Sequence, residues 1–337
     1  MAATLTQALA IGLGFGAGLG GAAFMLARAR RGALPVDLPD ERRLHRTPTP
    51  RGGGIGIPLA GLLVLPFAFA APDPRPVWIA VCVWAVPNGI LGYIDDHRPL
   101  RSRVKFAIQA ALAVAAVALG LRLDVLDVPP FPPLALGWAS YPFTVLWLIW
   151  MGNLYNFMDG MDALAAGSGL LYFGTFALLT PVLSPIPAAM AAGMAGFLVY
   201  NRPPARIFMG DAASLFVGAL LGALAVAAAP QVPFPASVLI MGSFIWDTTF
   251  TILRRLLRGD PMLPHRTHLF QRLALAGWSH AKVRAVYFGM ALAFAGGALA
   301  YARLPRAGQA AILGAALGVC LVLVWVTRRQ EARGSSP

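Results

Sequence analysis

Acidic residues are scarce in this chain, 14 in 337, against 27 lysines and arginines. The few acids that stand beside Gly, Asn or another Asp are therefore informative. The first group is Gly92-Tyr93-Ile94-Asp95-Asp96. Neighbouring carboxylates repel, and holding both ionised calls for a cation. On a helix they point about 100° apart, so one can face a metal while the other handles a proton or substrate. The second group is Asn153, Asn156, Asp159 and Asp162, at steps of three. Four residues so spaced drift half way round a helix, so a break must gather them. Gly160 is the expected break, with Asn153 and Asn156 on a helix end, Asp159 in the turn and Asp162 capping the next helix. Amide and carboxylate oxygens suit a hard cation or the edge of a nucleobase. The third is Phe208-Met209-Gly210-Asp211-Ala212-Ala213-Ser214. A glycine, a carboxylate and small residues open a helix whose acid can hold Mg²⁺ while its exposed amides meet phosphate. Asp211 is the strongest metal candidate.

Two basic segments complement these acids. Pro264-His265-Arg266-Thr267-His268-Leu269-Phe270-Gln271-Arg272-Leu273 holds two of the five histidines three apart, with arginines on both sides. No third ligand with zinc spacing accompanies them, so the cationic neighbours suggest phosphate binding. His45-Arg46-Thr47-Pro48-Thr49-Pro50-Arg51-Gly52-Gly53-Gly54 joins positive charge to glycines that let backbone approach a ligand closely. Asp247 is different, lying inside an apolar run, where an acid is costly and is either functional or paired with a neighbouring helix.

The elements that must position these residues are membrane helices. Hydrophobic residues make up 58% of the chain, charged ones 12%, and the mean hydropathy is +0.68. That excludes a disordered chain and leaves a soluble globule short of polar surface. Apolar runs lie at about 4–27, 54–71, 76–94, 104–121, 141–157, 162–181, 186–200, 212–229, 234–253, 282–301 and 307–327. In lipid such runs must be helices, since backbone groups have no water to bond. The expectation is an all-α polytopic membrane protein of about 11 transmembrane helices, a single integral-membrane domain over 1–337. Of the 27 basic residues, 23 fall in one set of alternate loops and 4 in the other. The positive-inside rule puts the first set in the cytoplasm, the N-terminus outside and the C-terminus inside. The net charge of +13 then reflects topology, and no nucleic-acid partner is implied. Cys82 and Cys320, both in apolar runs, read as small packing residues. Gly16, Gly18 and Gly21 match G-x-G-x-x-G but lie inside the first run with no strand before them, so close helix packing is the expected role.

Carboxylates for Mg²⁺, cationic groups for phosphate and a membrane, with no G-x-x-x-x-G-K-[ST] loop, suggest phosphoryl transfer to or from a lipid-borne group. At this point the chain resembles the polyprenyl-phosphate N-acetylhexosamine-1-phosphate transferases (glycosyltransferase family 4). The Asp95-Asp96 pair, the run 153–162, Gly210-Asp211 and the histidine loop appear in the family's order, from His45 to Arg272. The resemblance implies transfer of sugar-1-phosphate from a UDP-N-acetylhexosamine to undecaprenyl phosphate, with undecaprenyl-diphospho-sugar and UMP as products. It implies Mg²⁺ as cofactor, with Mn²⁺ as an alternative, and a cytoplasmic-face site in a bacterial inner membrane. By position, Asp211 and Asn156 match metal ligands, and Asp95, Asp96 and Asp159 match catalytic acids, Asp95 as the suggested base. Asn153, Asp162, His265, Arg266, His268, His45 and Arg51 match substrate-binding positions, the histidine loop holding the diphosphate.

Three departures stand out. Ala163 replaces a glycine found in many members, Ala213 stands where Gly-Ser is common, and the loop lacks the consecutive histidines of the peptidoglycan translocase. The last favours an enzyme that starts O-antigen-like surface polysaccharide, with peptidoglycan lipid I synthesis as the alternative. A prenyltransferase should show two Asp-rich motifs of similar form, and an anionic-solute transporter repeated halves; the chain shows neither. The donor sugar and the oligomeric state, a homodimer among the options, stay open.

Overall fold

The computed structural model describes residues 2–32, 34–37, 48–69, 75–180, 183, 185–260 and 265–334. His45 lies outside them. The described chain is overwhelmingly helical: α1 (Ala2–Arg30), α2 (Gly56–Phe69), α3 (Arg75–His97), α4 (Ser102–Ala118), α5 (Ser140–Met158), α6 (Leu164–Leu179), α7 (Pro185–Asn201), α8 (Asp211–Ala227), α9 (Phe234–Ile240), α10 (Gly242–Arg258), α11 (Leu269–Leu275), α12 (His280–Tyr301) and α13 (Arg306–Gly334). Two small antiparallel ribbons qualify the all-α expectation: β1 (Val36–Asp37) pairs with β2 (Thr49–Pro50), and β3 (Val125–Leu126) with β4 (Leu134–Ala135).

Each apolar run has its helix, with one correction. The run 234–253 is not one straight span. It breaks at Met241, where α9 and α10 meet at a bend of 84°. Past the break the polarity turns inside out. Ser243, Asp247, Thr248, Thr251 and Arg255 are buried, while Leu253, Leu256 and Leu257 are exposed. Apolar content alone reports burial or lipid contact and carries no information on straightness. Four helices, α1, α3, α12 and α13, are long and apolar enough to cross a bilayer, and the bent pair makes a fifth candidate. The apolar helices α6 and α8 have 16 and 17 residues. At about 1.5 Å per residue they fall short of a hydrocarbon core of roughly 30 Å.

Helix α8 is the mast of the bundle: every residue from Ala212 to Val226 is buried. Neighbours reach it where side chains are missing. A Cβ on Gly92 of α3 would stand 2.1 Å from the Asp211 carbonyl oxygen, and one on Gly218 would stand 2.5 Å from that of Met151 in α5. The indoles of Trp84 and Trp147 donate to the carbonyls of Ala219 and Gly222, each at 3.0 Å. On the far side α1 lies against α7: a Cβ on Gly14 would meet Ala189 O at 2.2 Å, and one on Gly18 would meet Gly193 O at 2.0 Å. Gly18 and Gly21 of the G-x-G-x-x-G match thus serve close packing, whereas Gly16 faces open space.

The two sets of alternate loops segregate. Gly53 N and Gly54 N donate to Phe208 O and Met209 O, and Ala205 N donates to Asp162. Gly160 abuts Phe270, and Arg272 pairs with Glu331. At the other end Arg306 holds Asp127, and Arg122 reaches Asp124 and Tyr141. The chemistry-bearing segments therefore gather at one end of the bundle.

Candidate active site

The site is assembled where the C-terminal ends of α3 and α5 meet the N-terminus of α8. Asp96 is the keystone. Its Oδ1 accepts from Asp211 N and its Oδ2 from Ala212 N, both at 3.0 Å. These amides are among the four at a helix start that lack intrahelical partners, and the aligned dipole favours an anion there. Asp96 thus caps a helix other than its own, and its side chain is only 3% exposed. Gly210 has φ +84°, and a Cβ there would crowd both Asp96 Oδ2 and Gly52 Cα at 2.9 Å. The glycine is required for both reasons.

Asp95 points elsewhere, as adjacent helix positions do. Its Oδ1 accepts from Leu100 N at 2.7 Å and its Oδ2 from Lys105 Nζ at 2.6 Å. Its carboxylate also lies beside that of Asp211. Arg51 spans the cluster, with Nη2 3.1 Å from Asp211 Oδ1 and Nε 3.4 Å from Asp96 Oδ1. The pairing of the 50–54 segment with Phe208 and Met209 carries Arg51 there.

Asp159 sits in the turn after α5, half-buried. Among the described residues its carboxylate has no hydrogen-bond partner. Burial, followed by the nearby Asp211, pushes its pKa up to about 7, with Arg51 opposing and Asp96 and Asp162 adding to the rise. Asn156 donates to Ser214 Oγ at 2.8 Å, which leaves its amide oxygen available. Asn153 donates to Gln109 Oε1 at 2.8 Å, and Gln109 donates to Asn88 Oδ1 at 2.9 Å. This buried amide ladder ties α5, α4 and α3 together.

The break falls at Asp159 and Gly160 as expected, with α5 ending at Met158, and the turn corrects one expectation. Helix α6 begins at Leu164 behind Ala163, so Asp162 does not cap it. Asp162 instead accepts from Ala205 N at 3.0 Å and clamps the turn to the 202–210 loop. The unusual backbone falls on Ala163, at φ +61°, rather than on Gly160. Gly160 makes room instead, since a Cβ there would lie 3.0 Å from Phe270 Cζ. Ala163 N donates to Asn201 Oδ1 at 3.0 Å, which holds the left-handed residue in place.

The histidine loop stands alongside, with the His268 ring 6.2 Å from that of Phe157 on α5. Asp247 organises it. Fully buried, it accepts from Leu269 N at 2.8 Å, Phe270 N at 3.1 Å, Thr251 Oγ1 at 3.2 Å and the Tyr287 hydroxyl. His268 Nδ1 lies 3.2 Å from Asp247 Oδ1, and the residue is only 3% exposed. His265 is half-buried, and Thr267 N donates to its Nδ1 at 3.4 Å. Burial, then the neighbouring His268 and Arg255, lower its pKa to about 4, so it is neutral at physiological pH. Arg266 is half-buried with no partner among the described residues. Arg272 is taken by Glu331 of α13 at 2.7 and 2.6 Å.

Sequence reasoning missed Lys105, Gln109 and Asn88. Lys105 had counted only toward topology, and the two amides gave no spacing signal. The donor set fits a hard divalent cation: carboxylates in contact, one of them unpartnered, and an amide oxygen. No three His, Cys, Asp or Glu among the described residues converge to enclose an ion by themselves. Mg²⁺ does not need them to, since it keeps waters and completes its shell with substrate phosphates.

Comparison with known proteins places this arrangement. The profile "Glycosyl transferase family 4" matches residues 78–229, the stretch carrying Asp95, Asp96, 153–162 and Asp211. A Bacillus subtilis protein named "Probable undecaprenyl-phosphate N-acetylglucosaminyl 1-phosphate transferase" is 35% identical over 258 residues, 73% of this chain and 71% of that protein. The phospho-N-acetylmuramoyl-pentapeptide-transferase of Moorella thermoacetica is 33% identical over 279 residues, 75% of this chain and 84% of its own. The decaprenyl-phosphate N-acetylglucosaminephosphotransferase of Mycolicibacterium smegmatis is 31% identical over 337 residues, 86% and 81% of the two chains. With its apolar helices and these membrane-enzyme relatives, the chain is a multi-pass membrane protein and belongs to glycosyl transferase family 4, the family of the polyprenyl-phosphate N-acetylhexosamine-1-phosphate transferases.

Proposed function

We propose that this protein transfers N-acetylhexosamine 1-phosphate from a UDP-linked donor to undecaprenyl phosphate, at the cytoplasmic face of a bacterial inner membrane. An oxygen of the lipid phosphate bonds to the donor's β-phosphorus, and the bond from that phosphorus to the bridging oxygen breaks. The products are undecaprenyl-diphospho-sugar and UMP. The observation that carries this reading is Asp159, without a hydrogen-bond partner among the described residues and under the charge of Asp211, in the turn whose Gly160 lies against Phe270 of the histidine segment. The strong bias of basic residues toward this end supports the cytoplasmic orientation, with the N-terminus outside and up to eleven crossings.

Asp211 and Asp159, with the amide oxygen of Asn156, would hold Mg²⁺, which supplies charge neutralisation between two anionic reactants. Asp96 keeps the start of α8 in register beneath them. Arg51 and Lys105 limit repulsion among the acids and are placed to meet substrate phosphate. His265 offers a neutral donor and Arg266 a free guanidinium to the diphosphate. A lipid phosphate is largely ionised near pH 7, and both Asp95 oxygens are already engaged. Asp95 therefore orients Lys105 instead of removing a proton.

The relatives include both N-acetylglucosamine-type transferases and phospho-N-acetylmuramoyl-pentapeptide-transferases. The absence of consecutive histidines in 264–273 favours the first, as a starter of surface polysaccharide. The test is UMP release by purified protein with undecaprenyl phosphate, Mg²⁺ and a panel of UDP-N-acetylhexosamines, including the muramoyl-pentapeptide donor. Lipid-dependent release from one donor is expected and names the sugar. Release from none, by folded protein, would overturn the reaction.

A further inference from the structure

Asp247 has no place in the transfer step, yet it is the most heavily engaged acid in the described chain. Five groups from α10, α11, α12 and the histidine loop converge on it. A carboxylate facing His268 Nδ1 fixes the proton there, so the lone pair is at Nε2. His265 takes the opposite form: its Nδ1 accepts from Thr267 N, so its proton is on Nε2. The two rings lie 5.1 Å apart, tilted by 30°. The loop thus holds one imidazole as a donor and its neighbour as an acceptor, and Asp247 sets the difference.

An acceptor is the wrong form to meet an anion. A carboxylate behind an imidazole raises the basicity of the far nitrogen. We propose that binding of a nucleoside diphosphate is coupled to proton uptake at His268 Nε2, with Asp247 as the built-in counterion. Asp247 is then a positioning residue acting through His268, and this role rests on the reading of the loop as the diphosphate site. The imidazolium would sit between Asp247 on one side and phosphate oxygens on the other. Phe157 of α5, Phe270 of α11 and His265 lie against the ring and Gln271 of α11 against its backbone, Thr251 of α10 and Tyr287 of α12 bond Asp247 behind it, and Arg255 of α10 and Asp260 act on the neighbouring His265. Among the groups in contact with the ring Asp247 is the acid; His265 is neutral, so Arg255 opposes the added charge, and Asp247, with Asp260 farther along the loop, offsets it.

The experiment is calorimetric titration of the full-length protein with UDP at pH 7.5, in buffers of different ionisation enthalpy. Net proton uptake on UDP binding is expected in the wild type. His268→Asn keeps an N–H toward Asp247 but has no Nε2. It should abolish the uptake and weaken UDP about tenfold or more, as loss of a charge-assisted bond does. Asp247→Asn should also abolish the uptake. UDP binding without proton uptake in the wild type overturns the inference while leaving the diphosphate site intact. Uptake that persists in His268→Asn overturns it as well, and that variant decides the matter even if Asp247→Asn fails to fold. No UDP binding at all overturns the underlying reading of the loop.

Discussion

Asp96 and Asp247 each accept from the first two backbone amides of a helix that is not their own, Asp211 and Ala212 of α8 in one case, Leu269 and Phe270 of α11 in the other. Their surroundings differ. Around Asp247 the further partners are two hydroxyls and an imidazole, and the carboxylate is fully satisfied and closed off. Around Asp96 stand three more carboxylates, Asp95, Asp159 and Asp211, with Arg51 and Lys105 to offset them. The same capping device therefore closes one region and leaves the other with charge to spare. A region short of cations is built to receive one, whereas a region already neutralised is built to hold a shape.

The largest test of this contrast is Asp211→Asn. It should cut UMP release by at least about a thousandfold, while the melting temperature in detergent stays level or rises because an anion has left a crowded cluster. Loss of folded protein would show the acid cluster to be structural, like the Asp247 region, and the contrast would fail.

The pH dependence of stability comes next. Asp159 has its pKa raised to about 7, far above the ordinary carboxylate range. The folded state then binds a proton that the unfolded chain releases. Its stabilising contribution is complete below about pH 4 and lost as pH climbs through 7. Melting temperatures measured without divalent cation should fall over that window, and Mg²⁺ should flatten the fall. Asp159→Asn should make the slope shallower; a slope unchanged in that variant would assign the effect to another group.

The smallest effect concerns backbone strain, which also marks the first region. Ala163 at φ +61° occupies a conformation that costs an L-residue roughly 1–2 kcal/mol. Ala163→Gly should stabilise the protein by about 0.5–1 kcal/mol, after the extra freedom glycine has when unfolded is subtracted. Chemical denaturation can measure this. A destabilised variant would mean that the Ala163 methyl contributes packing that outweighs its strain.

The acid-rich region was largely legible in the sequence because ionised groups are expensive in a membrane and so reveal their purpose by position. Asp95, Asp159, Asp211 and Arg51 do come together. Which of two adjacent aspartates would cap α8 was not legible, since that depends on the angle at which α3 crosses α8 over Gly92. Lys105 was hidden because a basic residue at a helix end already had a topological explanation. Asp247 was visible as an anomaly, but four of its five partners lie 21 to 40 residues along the chain, and no local pattern points to them. The break at Met241 was invisible for a similar reason: both halves are apolar enough to read as one span.

The close contact of α1 with α7 has a consequence for how the molecule is made. Gly18 and Gly193, whose backbones nearly touch, are 175 positions apart in the chain. At about 5–20 residues per second of synthesis, the bare glycine face of α1 waits roughly 10 to 35 seconds in the bilayer before its partner is produced. During that interval Gly56 of α2 covers the end of that face around Gly18 and Gly21 and lipid covers the rest, and any other small-faced helix nearby is a competitor for the place that α7 will take.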